Sequence, residues 1–166
     1  MDSTAGLLHL LQTDGRRLHR LLTRLTLRAD AADDLLQELF LRLRSSAGFR
    51  NATDPAAFAV RTAVNLAFDW RRKRRRRREV GEVPDQATRL DPLAKLVERE
   101  ELDQVLIALT ELPESVRLCL VLRHLEQLDA NEVAQLLGRT AHQVRALCAK
   151  GVARLRRRLG EEIPNG

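Results

Sequence analysis

The sequence is poor in the residues on which many folds and binding sites depend. Among 166 residues there is no Tyr, one Trp and only four Phe, so an aromatic platform for stacking bases has few residues to use. Glycine and proline number 8 and 5, and runs of β-branched residues are scarce. Because Leu, Ala and Arg dominate instead, the composition predicts helices throughout and an all-α fold.

Cysteine is also rare. Cys119 and Cys148 are the only two, and both fall at apolar positions of helical patterns. Neither belongs to a Cys-x-x-Cys motif or a Cys/His cluster, so the sequence predicts no metal site. We expect two buried thiols in a reducing compartment.

Long hydrophobic stretches are missing as well. The N-terminus lacks the basic start and apolar core of a signal peptide, and no segment approaches the length of a membrane span. We therefore expect a cytoplasmic protein without membrane insertion. No pattern predicts catalytic residues, a cofactor or a small-molecule substrate.

Positive charge, in contrast, is abundant. Lys and Arg total 29 against 23 acidic residues, giving a formal net charge of +6 and a pI of about 10.5. This balance points to a polyanionic partner, although an excess of this size also serves solubility. An unbroken basic run extends from Arg71 to Arg78. Such a run is either a solvated tail or a grip on phosphates, and its place at the end of a helix beside Trp70 favours the grip.

The segment from Asp129 to Leu155 predicts a helix, a tight turn and a second helix. Asp129 with Glu132, and Thr140 with Gln143, have the spacing of capping boxes. Gly138 between them has the backbone freedom to end the first helix. A capped second helix with small, polar and basic residues at its start suits the major groove of DNA. A helical hairpin facing solvent would show the same pattern.

Periodicity and composition divide the chain into two small helical domains. Residues 1–78 contain amphipathic helices over 1–28 and 30–44, a loop over 45–54, and a helix that Asp54 and Pro55 begin. Residues 79–92 have two prolines, a glycine and no period, so they predict a flexible linker. Residues 93–160 predict helices over 93–109 and 116–125, followed by the helix-turn-helix.

Three segments resemble the extracytoplasmic-function (ECF) group of sigma factors of bacterial RNA polymerase. DDLLQELFLRL, from Asp33 to Leu43, resembles the family's D-L-V-Q-E-V-F-L-R-L segment. FAVRTAVNLAFDWRR, from Phe58 to Arg72, resembles a second segment, with Asn65 and Asp69 in register. The chain from Ala108 to Arg157 resembles the family's fourth region from end to end. The first two segments form one block and the fourth-region segment forms a second. The two blocks occur in the family's order and at ordinary spacing.

The resemblance implies three binding surfaces. The first domain would bind the polymerase clamp and the promoter −10 element, and the second would read the −35 element. The implied polymerase-binding residues are Asp34, Gln37, Glu38, Phe40 and Leu41. The implied −10 residues are Arg61, Asn65, Arg71, Arg72, Arg74 and Arg75. The implied −35 residues are Thr140, His142, Gln143, Arg145, Ala146, Ala149 and Lys150.

The implied partners are core RNA polymerase and promoter DNA. Family members are often held inactive by an anti-sigma factor. The resemblance therefore implies that this chain could also have an anti-sigma partner, but it does not identify that partner. Two other hypotheses stay open at this point. The chain could be a plain helix-turn-helix regulator that binds a palindromic operator as a dimer. The chain could also be a metal-dependent nuclease that uses Asp33, Asp34 and Glu38. This hypothesis agrees less well with the sequence, since the helix dipole and capping already explain acidic residues at the start of a helix.

Overall fold

The computed structural model describes residues 3–81 and 93–160, and within these ranges all regular elements are helical. The chain divides into two compact units, Met1–Gln86 and Ala87–Gly166. The first contains α1 (Ser3–Thr26), α2 (Ala29–Ser45), α3 (Ala47–Arg50) and α4 (Pro55–Glu79). The second contains α5 (Leu93–Thr110), α6 (Glu114–Leu120), a π-helical turn (Val121–Leu125), α7 (Ala130–Leu137) and α8 (Ala141–Leu159). The all-α prediction is confirmed, and the predicted linker lies outside the described residues from position 82 onward.

The first unit is built on three long helices, α1, α2 and α4, which pack against one another. A short turn joins α1 to α2 and reverses the chain, and Leu27 in this turn has a φ of 58°. The apolar stripes predicted for these helices supply a core of leucines and smaller residues. Its largest fully buried side chains are Phe68, Leu18, Leu21, Leu22, Leu25, Leu39, Leu43 and Val64.

The segment 45–54, which the sequence predicts to be a loop, contains the one-turn helix α3. The Ser46 hydroxyl accepts a hydrogen bond from the Phe49 backbone N–H and caps this helix. Phe49 is buried, and its ring centroid lies 6.2 Å from that of Phe58. The loop prediction was therefore too coarse, because a tertiary aromatic contact orders part of the segment. The start of α4 is as predicted: Asp54 accepts from the Ala57 N–H at 3.1 Å and Pro55 follows it.

The second unit is centred on close packing between α6 and α8. A Cβ atom added at Gly151 of α8 would lie 2.6 Å from both Leu120 Cδ1 and Val116 Cγ1 of α6. Such a distance is too short for carbon atoms in contact, so only glycine permits this approach. This role of Gly151 was not predicted from the sequence, because it depends on contact with another helix.

The helix predicted over 116–125 is not α-helical throughout. From Val121 to Leu125 it widens into a π-helical turn, and the Glu126 N–H donates to Val121 O at 3.1 Å. Gln127 follows with a φ of 55°, and the Leu128 N–H donates to Leu122 O. This turn ends the helix and directs the chain into α7. The predicted inward residues Leu118, Cys119, Val121 and Leu122 are all buried.

Both cysteines are buried free thiols. Burial, and then the neighbouring Cys148 thiol, raise the pKa of Cys119 to about 11. Burial also raises the pKa of Cys148. Both groups are therefore neutral thiols at physiological pH, and they pack as small apolar side chains.

Candidate DNA and polymerase interfaces

Two capping boxes fix the helix-turn-helix in the second unit. The Asp129 carboxylate accepts from the Glu132 N–H at 2.8 Å, and the Asp129 N–H donates to Glu132 Oε1 at 3.2 Å. The hydrogen bond from the Glu132 backbone lowers the pKa of Asp129. Gly138 ends α7 in the left-handed region, with a φ of 64°. These predicted local signals are confirmed.

The second capping box holds the start of α8. The Thr140 hydroxyl accepts from the Gln143 N–H at 3.1 Å, and the Thr140 N–H donates to Gln143 Oε1 at 3.0 Å. A side-chain amide must use both its oxygen and its nitrogen to bind adenine bidentately. Because the Gln143 oxygen bonds to the helix start, only the NH₂ group remains for DNA. Gln143 can therefore offer a base only the N–H donors of its NH₂ group.

One face of α8 is buried and the opposite face is exposed. Val144, Cys148 and Gly151 are buried against the unit. His142, Ala146, Ala149 and Ala153 are spaced by one or two helical turns and lie away from the core. The exposed cations Arg145 and Lys150 flank them on opposite sides. We call the exposed residues from His142 to Arg154 the reading face.

The cations of the reading face are not used internally. The side chains of Arg145, Lys150 and Arg154 form no hydrogen bond or ion pair with any part of the chain that the structure describes. Ala153 and Arg154 extend this face one turn beyond the last predicted residue, Lys150. The helical period places both positions on this face, although neither is among the predicted −35 residues. Arg158, near the end of α8, instead forms an ion pair with Glu111, the residue that follows α5.

The predicted −10 residues Arg61 and Asn65 share the outer face of α4. Arg61 is exposed and Asn65 is half-buried, and they are four residues apart. Phe58 precedes them on the same face, and Asp69 and Arg72 follow it. Asp69 forms a 2.7 Å ion pair with Arg72, so the carboxylate on this face is neutralised by its neighbour.

The basic run of α4 leaves the core after its first residue. Arg71 is only 8% exposed, and its Nε donates to the Leu25 carbonyl oxygen at the end of α1. From Arg75 to Glu79 every residue is exposed. Arg71 was predicted to contact DNA, but the structure places it inside the first unit, because its position continues the buried face of α4.

The remaining cations of the run have different surroundings. Arg74 lies over the Trp70 ring at 5.2 Å, and Arg75 pairs with Glu79 at 3.6 Å. The side chains of Lys73, Arg76 and Arg77 are exposed and form no hydrogen bond or ion pair with residues 3–81 and 93–160. They are not among the individually predicted −10 residues, but they belong to the Arg71–Arg78 run that was predicted as a whole to grip phosphates.

The predicted polymerase-binding residues lie on α2. Asp34, Gln37, Glu38 and Leu41 follow each other at helical spacing away from the core, and we call them the α2 stripe. Leu41 is 56% exposed although it is apolar. Glu38 pairs with Arg42 at 2.8 Å. Phe40 is half-buried and lies about 100° around the helix from Leu41, beside the stripe and not on it.

The acids near the start of α2 have partners within the first unit. Asp33 lies 2.7 Å from His19 of α1. Arg28 donates two hydrogen bonds to the Asp30 carboxylate. These hydrogen bonds are the main reason that the pKa of Asp30 is lowered. In the described ranges no group of three or more His, Cys, Asp and Glu side chains is placed to hold a metal ion. None of the helices described is long and apolar enough to cross a membrane.

Two family models match the chain, and they match the two units separately. Sigma-70 region 2 matches residues 10–77, and sigma-70 region 4 matches residues 108–157. The protein is therefore of the class of DNA-binding transcription initiation factors, which is not a family of enzymes.

Similarity to a known protein identifies the family within this class. The chain is 33% identical over 147 residues to the ECF RNA polymerase sigma factor SigM from two strains of Mycobacterium tuberculosis. The alignment covers 87% of this chain and 72% of that protein. The chain belongs to the ECF sigma factors. It is an alternative sigma factor that directs promoter recognition, and the hypothesis of a stand-alone dimeric regulator is not favoured.

A solved structure shares the fold. It is the sigma factor RpoE in complex with the anti-sigma factor NepR from Bartonella quintana, with a TM-score of 0.50 and 18% identity. The match covers 93% of this chain and 97% of that one.

Proposed function

We propose that this sigma factor reads −35 duplex DNA with the reading face of α8, contacts −10 DNA with α4, and docks on core RNA polymerase through the α2 stripe. The observation that supports this proposal most strongly is the reading face itself. Three exposed cations there have no partner within the described chain, on a helix that contains no acidic residue.

At the −35 element, α8 enters the major groove with its capped start toward the base edges. Arg145 and Lys150 are the candidates for guanine edges or phosphates, and Gln143 can donate from its NH₂ group. The small Ala146 and Ala149 allow the helix axis to approach the bases closely. His142 lies at the exposed start of the same face.

At the −10 element, Arg61 and Asn65 face the single-stranded non-template strand. An amide can bind a base edge, and capture of an extruded base must compensate an unstacking cost of a few kcal/mol. Phe58 on the same face and the short helix α3 next to it border this surface. Because α3 orders part of the segment 45–54, this segment is better described as a preformed wall of the pocket than as a mobile loop.

Beyond this surface, the projecting end of α4 lies along duplex phosphates. Arg72, Arg74 and Arg75 contribute there, and we add Lys73, Arg76 and Arg77 because they are exposed. Arg71 is left out of the proposed interface because of its burial.

The α2 stripe supplies a surface that is acidic and partly apolar within a basic protein. Such a surface repels DNA and suits a protein partner. Asp34 has no polar partner in the described part of the chain, and Leu41 exposes most of its side chain. We assign Asp34, Gln37, Glu38 and Leu41 to polymerase docking, with Phe40 supporting the helix from its half-buried position.

The substitution Arg145→Ala tests the −35 assignment. Removing a bidentate contact to guanine costs about 1–3 kcal/mol, so transcription from a matched promoter should fall by roughly 5- to 100-fold. Arg20→Ala on the outer side of α1 makes the same chemical change outside the proposed interfaces and should leave transcription unchanged. Equal transcription from Arg145→Ala and Arg20→Ala would exclude Arg145 from promoter reading.

We further propose that the protein acts in the cytoplasm, where its polymerase and promoters are, and that phosphodiester chemistry belongs entirely to the polymerase. The solved structure that shares its fold contains an anti-sigma factor. That complex supports the proposal of an anti-sigma partner here as well. Inhibition of run-off transcription by a co-purifying protein, relieved on its removal, would test it.

A further inference from the structure

An exposed arginine lies in the turn between the two helices of the helix-turn-helix. The turn comprises residues 138–140, and Arg139 directly precedes Thr140, the first of the predicted −35 residues. The backbone of Arg139 is fixed on both sides, because its N–H donates to Ala134 O at 2.9 Å and Thr140 caps α8. Arg139 therefore starts from a well-defined place beside the reading face.

A serine from another helix holds the Arg139 side chain. Nη2 of Arg139 donates to the hydroxyl oxygen of Ser115, in the first turn of α6, at 3.0 Å. A hydroxyl is a neutral acceptor, so this bond orients the guanidinium without neutralising its charge. Arg139 forms no ion pair within residues 3–81 and 93–160. Its positive charge and its remaining N–H donors are thus directed but not used.

The chemistry that fits an oriented guanidinium of this kind is a phosphate. A guanidinium matches the geometry of a phosphate and can donate two parallel hydrogen bonds to it. Promoter DNA is a partner of this family, and most hydrogen bonds between proteins and DNA go to phosphates and sugars. The ligand of Arg139 is therefore sought on the DNA backbone next to α8.

The place of Arg139 relative to α8 favours the backbone over the bases. In a helix-turn-helix the first residues of the second helix contact base edges in the major groove. This groove is about 12 Å wide and is bordered by the two backbones. Arg139 precedes α8 and the reading face begins at His142, so Arg139 belongs at the border of the groove and not at its floor.

We infer that Arg139, positioned by Ser115, binds a backbone phosphate beside the −35 element. This inference rests on the proposed reading of −35 DNA by α8 and adds to it a contact that carries no sequence information. The contact ties α6 and the turn to the DNA, and so fixes the depth and direction at which α8 enters the groove.

The test measures DNA binding by the full chain assembled with core RNA polymerase. The probe is a promoter duplex that the wild-type assembly selects from a randomised library. Arg139→Ala should weaken binding roughly tenfold, since a charge-assisted hydrogen bond is lost. The slope of log affinity against log salt should fall by about 0.9, the value for one phosphate. On duplexes with single-base changes in the −35 element, the loss should be the same factor, because a phosphate contact is independent of sequence.

Two further variants control this measurement. Arg139→Gln removes the charge and can still donate to Ser115, so it should lower the salt slope as Arg139→Ala does. It also serves if the alanine variant does not keep the circular dichroism of wild type. Arg20→Ala makes the same chemical change on α1 and should leave both affinity and slope at their wild-type values.

Ser115→Ala tests the positioning role of the serine. The charge of Arg139 remains in this variant, so the salt slope should stay constant while affinity falls about threefold. In the Arg139→Ala background the same substitution should have no further effect, because Ser115 acts through the arginine. An equal loss of affinity in both backgrounds would overturn this role.

Comparison with Arg145→Ala separates this inference from the proposed −35 interface. If Arg145→Ala weakens binding and Arg139→Ala leaves affinity and salt slope unchanged, the phosphate contact is excluded and the reading face stands. If neither variant changes binding, the proposed −35 interface fails as well. A loss with Arg139→Ala that depends on the base at one position would assign a base contact to Arg139 and overturn the inference.

Discussion

The two units expose their arginines in different ways. In the first, α4 is a core helix that continues into the basic run, so its buried face passes through Arg71 before the helix projects into solvent. In the second, α8 buries Val144, Cys148 and Gly151 and keeps all its cations outside. The contrast shows that a run of like charges has no uniform role. The phase of the helix relative to its core decides which cations are buried in the fold and which stay exposed to solvent.

The largest effect is expected at Gly151, where the packing of the second unit requires a residue without a side chain. Gly151→Val should destabilise this unit by about 1–3 kcal/mol, because the added atoms overlap Leu120 and Val116. Trp70, the only tryptophan, lies in the first unit. Tryptophan fluorescence during urea unfolding should therefore keep its midpoint, while part of the circular dichroism transition moves to lower urea.

Ala153→Val is the control for this experiment, since residue 153 is exposed on the same helix. It should cost only a few tenths of a kcal/mol, the helix propensity of valine. Equal stability of the two variants would show that the contact between α6 and α8 is not as close as described.

An effect of similar size is expected at the basic run, where stability and DNA affinity should separate. Arg71→Ala should lower the stability of the first unit by about 1–3 kcal/mol, because it removes both packing and the hydrogen bond to the Leu25 carbonyl. Trp70 fluorescence would report this change directly. The salt dependence of DNA binding should not change.

Arg76→Ala with Arg77→Ala is the opposite case. Both residues are exposed, so the free energy of unfolding should stay constant. The slope of log affinity against log salt should fall by about 0.9 for each phosphate that the variant no longer neutralises. A salt slope that falls with Arg71→Ala and not with this pair would reverse the assignment.

The smallest expected effect is on the stability of the protein at acidic pH. The pKa of Asp129 is lowered in the folded state, so its contribution to stability is present above the unfolded pKa of about 3.9 and is lost as pH falls through the lower folded value. Asp129→Asn keeps a capping side chain and removes the titration. Below about pH 4, the variant should therefore lose less stability per pH unit than wild type. Parallel acid limbs in circular dichroism melts would contradict this role.

Features with short-range causes could be predicted from the sequence. The capping boxes at Asp129 and Thr140, the stop at Gly138 and the start of α4 each depend on residues a few positions apart. Helical periodicity likewise predicted the buried stripes and the exposed positions of the reading face.

Features that depend on tertiary packing could not be predicted in this way. The burial of Arg71 requires the end of α1 beside it, and the role of Gly151 requires α6. The helix α3 forms because Phe49 packs on Phe58. The capping role of the Gln143 oxygen was visible in the sequence, but its consequence for adenine reading became clear only with the hydrogen bond in place.

The most direct test of the central claim is co-elution of the full-length protein with bacterial core RNA polymerase on a sizing column. A sigma factor that docks through α2 should elute with the polymerase, and the variant Gln37→Ala with Glu38→Ala should elute mostly as the free protein with its circular dichroism unchanged. Elution of the wild-type protein apart from the polymerase, together with tight binding to duplex DNA as a dimer, would contradict the account.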